Sequence, residues 1–147
     1  MATFHWKSNA SAVKKDDIIY NVWTASKWNE LINFCNRQMK RIWDENEDKK
    51  YEDAAYEDEY GWHYPYSKKD YDTSYNISSN YNANKEEVIT AAKYNGVVEG
   101  LARQLSYWGR PRYSAEVISG EVIYWYHADN LEKDANKLLH QKLLLQK

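Results

Sequence analysis

The sequence predicts a mainly α fold with a small β-hairpin. Two repeat-related helices pack together, with a C-terminal helix and a long tyrosine-rich insertion. Three observations predict it. The stretch Val22-Trp-Thr-Ala-Ser-Lys-Trp-Asn29 returns 66 residues later as Val88-Ile-Thr-Ala-Ala-Lys-Tyr-Asn95, and Arg37-Gln38 matches Arg103-Gln104 at the same offset. Apolar residues then step by four and three after each copy. Beyond the second copy the period changes, as β-branched and aromatic residues gather about Ser119-Gly120. A chain of 147 residues suits one domain with a modest core. It divides into repeat one (about 17–43), an acidic, tyrosine-rich insertion (about 44–84), repeat two (about 86–108), and a hairpin with the last helix (about 113–145).

Each repeat opens on a hydroxyl that can accept from the free amides of a helix's first turn, which makes Thr24 and Thr90 the helix caps. In the first copy Trp28, Ile32, Cys35, Met39 and Ile42 form one apolar seam. Tyr94, Val98, Leu101, Leu105 and Trp108 form the other. The seams either face each other within the chain or join copies of it, since the alternation also suits a short coiled coil. Asn29 and Asn95 recur beside the aromatic of each copy, and the expected role is to tie the helix to the segment leading into it. A weaker third copy is read in Glu121 to Leu131, with Asn130 in the asparagine's place.

From Asp44 to Asn84 the chain holds eight of its fourteen tyrosines. Asp44 to Tyr60 is expected to prolong the first helix, Gly61 to Pro65 to turn the chain, and Ser67 to Asn84 to form an irregular loop. Trp62, Tyr64, Tyr66, Tyr71, Tyr75 and Tyr81 are the candidate interaction residues, because Tyr among Ser, Asn and Asp is the composition of recognition surfaces. Three destinations fit them: a neighbouring subunit, an external ligand, or the chain's own helices. Changing Tyr71 and Tyr75 is expected to spare the fold and weaken assembly.

Trp108-Gly-Arg-Pro-Arg112 should stop the second helix. Glu116 to Tyr126 reads as a short hairpin, which must pack or pair to persist. Leu131, Ala135, Leu138 and Leu145 mark the apolar face of a last helix from about Ala128 to Leu145.

Composition argues against several function classes. The formal charge is -2 with both signs interspersed, which offers no footprint for nucleic acid. Arg37, Lys40 and Arg41 are expected to serve the helix end or pair with the acids beyond it. No run suits a secretory signal or a membrane span, so synthesis in a cytosol is expected. Cys35 is the only cysteine and sits on a seam, as a core residue would. Asp70, Asp72 and Ser74 imitate the opening of a calcium loop without its later glycine and acid, and His63 and His127 lack spaced partners. No metal, no cofactor and no catalytic group is expected.

The unit acid-[Val/Ile]-Ile-Thr-Ala-x-x-aromatic-Asn-x-[Leu/Val] resembles a segment that recurs in virion proteins of tailed bacteriophages, particularly tail-fibre, baseplate and other minor structural proteins. It is carried by Asp17 to Leu31, Glu87 to Val97 and, loosely, Glu121 to Leu131. The resemblance implies a structural component of the virion, made in the host cytoplasm and assembled as a homo-oligomer with other virion proteins. The alternative is a binding module that takes a host glycan or a protein through the tyrosine-rich loop.

Overall fold

The computed structural model describes residues 3–7, 11, 13–15, 17, 22–121 and 123–140. Helix α1 spans Ala25–Asp53, α2 Ala91–Tyr107 and α3 Trp125–His140. Strands β1 (Tyr56–Asp58) and β2 (Gly61–His63) form an antiparallel hairpin, and two single 3₁₀ turns cover Thr73–Tyr75 and Ser79–Tyr81. The chain is therefore mainly α with a small β-hairpin, as the sequence predicts.

Both predicted caps form: the Thr24 hydroxyl accepts from the Lys27 amide and the Thr90 hydroxyl from the Lys93 amide, each at 3.2 Å. At the start of α3 the bond runs the other way along the chain, the Tyr124 amide donating to Nδ1 of His127 in the first turn at 2.8 Å. The three helices start in one register. Counting from each start, α1 buries Trp28, Leu31, Ile32, Cys35, Gln38 and Met39. At the same positions α2 buries Tyr94, Val97, Val98, Leu101, Gln104 and Leu105. The matching set of α3 is Ala128, Leu131, Glu132, Ala135, Leu138 and Leu139. The third copy is thus real at the level of burial, although Asp129, not Asn130, occupies the asparagine's position.

The helices run parallel. Tyr94 and His127, near the starts of α2 and α3, have ring centroids 5.7 Å apart. At the other end Arg41 donates to the carbonyls of Leu138 and Leu139, and the Trp108 indole donates to the Met39 sulfur. The seam residues Trp28, Ile32, Met39, Ile42, Tyr94, Val98, Leu101, Leu105 and Trp108 are all buried in this one core. They are used within the chain, not between chains.

Parallel helices need long return segments between them, and the segment that precedes α1 lies along the bundle in the same way. Residues 66–83 descend α1: Tyr66 meets Glu47, Ile77 meets Asn36, and Ala83 meets Asn29. Residues 113–117 pass from Asp134 of α3 to Asn95 of α2. Residues 4–6 descend α3, from Asn136 to Glu132 and Ala128. The last contact fills a deficit of volume. Where α1 and α2 place Trp28 and Tyr94, α3 has only Ala128, and the Trp6 indole lies there, stacked 6.2 Å from Trp28 and donating to the Ala128 carbonyl.

The predicted hairpin at 116–126 does not form. Among the described residues of that stretch there is no strand; Ser119-Gly120 is a turn, and Val117 is tied to a helix side chain instead of a second strand. Its β-branched composition favours non-helical backbone but cannot supply a pairing partner. The hairpin lies instead within the insertion, where α1 stops at Asp53 rather than continuing to Tyr60. Of the predicted last helix, residues 141–145 lie outside the described residues.

Candidate interaction surface

The repeated asparagines hold the returns in place. Asn29 donates to the Ala83 carbonyl (2.9 Å) and accepts from the Ala83 amide (2.7 Å). Asn95 does the same to Val117, at 2.6 and 2.8 Å. A second pair, Asn36 and Asn136, grips Ile77 and Phe4 in the same two-bond manner. A primary amide carries one donor and one acceptor side by side, so it can satisfy both polar groups of one residue at once. Asn29 and Asn95 do not bind the segment that leads into their own helix, the expected partner. They bind the one that leads into the next.

Three acids repeat a turn, in two cases just beyond the gripped residue. Asp17, Glu87 and Glu121 each accept from an amide three residues earlier (Lys14, Asn84, Ile118) and donate their own amide to that residue's carbonyl. The residue preceding each turn, Val13, Ala83 or Val117, is buried.

The predicted tyrosine-rich surface divides in two. Tyr66, Tyr71, Tyr75 and Tyr81 pack on the chain's own helices, the third of the destinations open to them. The Tyr66 hydroxyl donates to Glu47 at 2.6 Å. Tyr71 sits edge-on to Trp43 at 5.7 Å, and Tyr75 lies 4.8 Å from Tyr107. Tyr81 covers Gly96, where any Cβ would collide with its ring, and Ile77 likewise covers Gly100. These rings close the groove between α1 and α2, so changing Tyr71 and Tyr75 would disturb the fold.

Trp62 and Tyr64 are different. With 29 residues against 17 in α2, α1 carries the hairpin roughly 18 Å past the level at which α2 ends. Tyr60 is 83% exposed, Trp62 60%, Tyr56 51% and Tyr64 50%. Tyr64 stacks on Tyr51 at 4.9 Å and His63 on Tyr56 at 4.9 Å, so Tyr56 and Tyr64 are braced in place while half of each stays exposed. Glu57, Asp58 and Glu59 are exposed among them. The sequence reading missed Tyr56 and Tyr60, because the acids and Ala54-Ala55 around them suit a helix; the alternation Tyr60, Trp62, Tyr64 about Gly61 was the available signal.

Two clefts lie away from these rings. One of about 750 Å³ lies between α1 and residues 68–76, lined by charges of both signs. The other, about 600 Å³, opens at the start of the bundle, where Trp23, Ile89 and Ile123 hold equivalent positions. Of the remaining candidates, Cys35 is enclosed and burial pushes its thiol far up, so it stays protonated. Asp72 caps a 3₁₀ turn through the Ser74 amide, and His63 pairs with Asp58 at 2.9 Å. Lys40 pairs with Asp44 and Arg41 with Glu45, as expected of the basic cluster. No described helix is long and apolar enough to cross a membrane. Comparison with protein families, curated proteins and solved structures found nothing that this chain matches.

Proposed function

We propose that the chain is a non-catalytic structural component of a tailed-phage particle, joining neighbouring virion proteins through the aromatic hairpin. The observation that carries this reading is the arm: four large aromatics at least half exposed within nine residues, held clear of the bundle by the extra length of α1. Aromatics with a polar edge give much contact area at little conformational cost, which suits a joining surface. The repeated segments Asp17 to Leu31, Glu87 to Val97 and Glu121 to Leu131 support the phage assignment by their resemblance to such proteins. The bundle acts as the rigid base, its seams and inner tyrosines consumed by the core.

The test is incorporation into particles. A Tyr60→Ser/Trp62→Ser chain, supplied to phage lacking the native copy, should keep its thermal midpoint and fail to enter particles. Normal incorporation would overturn the proposal. A glycan reading draws on the same exposed ring faces, which can stack on sugars. Saturable binding of a host glycan lost in that double variant would favour it.

A further inference from the structure

We propose that the aromatic hairpin docks on a second copy of this chain, against the basic end around Tyr113, in a reciprocal end-to-end pair. The inference rests on the reading of the hairpin as the joining surface and names its partner.

Charge complementarity selects the occupant. Between residues 52 and 64 the arm has five acids and no Lys or Arg. Among the described residues Glu52, Glu57 and Glu59 form no ion pair. A partner must therefore bring cations, and the rings offer them faces as well. The chain carries such a surface. Arg110 and Arg112 are exposed; neither forms a close ion pair among the described residues, and Arg112 acts only at longer range on Glu116. Beside them Tyr113 is 59% exposed, with the Lys137 ammonium 3.9 Å and the Lys133 ammonium 5.8 Å from its ring centre.

Placement makes the contact reciprocal. Lys137 donates to the Pro111 carbonyl, which sets this patch at the C-terminal ends of α2 and α3, the same end from which α1 projects. Two copies related by a two-fold axis across that end would each lay an arm on the other's patch. Area points the same way. The four rings expose roughly 400–500 Å². One arm and its receiving surface together bury under ~1,000 Å², short of a stable interface, whereas two such contacts reach the ordinary size of about 1,600 Å².

The experiment is solution mass by light scattering from micromolar to millimolar concentration, at low and high salt. The intact chain should form a dimer that salt weakens. A Glu57→Lys/Glu59→Lys chain and an Arg110→Glu/Arg112→Glu chain should each be monomeric with unchanged circular dichroism, since all four positions are exposed. Mixing the two should restore a dimer, because both contacts of that mixed pair are again between opposite charges. A chain that stays monomeric throughout, or a dimer untouched by either reversal, would overturn the pairing. If such a monomer still loses particle incorporation on Tyr60→Ser/Trp62→Ser, the self-pairing fails while the joining role stands. If the double variant is incorporated normally, the joining role itself fails.

Discussion

Asn95 shows how much structure one side chain can hold. Its amide satisfies both backbone groups of Val117, a buried residue in a segment with no strand partner. Removing it leaves those groups without bonds, at about 1–3 kcal/mol for a buried unsatisfied group. Asn95→Ala should therefore lower the urea midpoint clearly, and Asn95→Asp should also do so, since a carboxylate accepts but cannot donate. An Asn95→Ala chain as stable as the original would refute the clamp. Gly96 poses the opposite problem. A helix ordinarily gains about 1 kcal/mol from Gly→Ala, but here the new Cβ would overlap the Tyr81 ring. We expect Gly96→Ala to destabilise by roughly 1–3 kcal/mol as the ring is displaced. In a Tyr81→Ala background the same change should cost less or turn favourable, which a double-mutant cycle measures.

At the scale of elements, the outer half of α1 depends on one carboxylate. Burial alone would push Glu47 up, but hydrogen bonds from the Tyr66 hydroxyl, the Lys69 amide and Lys50 prevail and hold it below the usual 4.5. A carboxyl depressed in the folded state contributes stability that is present above its unfolded value and lost as pH falls through its folded one. Residues 66–69 should thus loosen from α1 as the pH drops below about 4.5. Trp43, whose indole donates to the Lys69 carbonyl, is the natural fluorescent reporter. In Glu47→Gln this acid transition of the Trp43 signal should disappear; its persistence would place the titrating group elsewhere. The hairpin at the far end of that arm was only partly legible. Gly61, at φ +106°, marks the turn in any reading. Nothing local in Tyr56 to Asp58 distinguishes a strand from a last helical turn, and all three residues of β1 are exposed, so no apolar alternation betrays it.

For the molecule as a whole, closure decides stability. The two returns and the segment before α1 each lie against two helices, and that segment, through Phe4 and Trp6, joins α3 to α1: Phe4 touches Asn136 on one side and Phe34, at 5.8 Å, on the other. Both rings are almost wholly buried, so Trp6→Ala should cost ~3–5 kcal/mol. It opens a cavity above Ala128 that no neighbouring repeat can fill. Substituting an exposed ring such as Tyr60 should cost under about 0.5 kcal/mol in the same urea titration. Equal losses at Trp6 and Tyr60 would contradict the closed arrangement.

Helix existence, the two threonine caps and the apolar faces were determined by the sequence alone, because each depends on residues within a few turns of one another. So was the recurrence of Asn29 and Asn95, which proved to mark the clamps. Which segment each asparagine grips, which tyrosines are consumed by the core and which are left outside were decided only by the tertiary structure. The returns between parallel helices cross the whole bundle and the segment before α1 lies on the last helix, so those pairings join residues from 22 to 132 positions apart. A side chain's neighbour at that separation is set by the volume and register of all three repeats together, and no local window of sequence contains it.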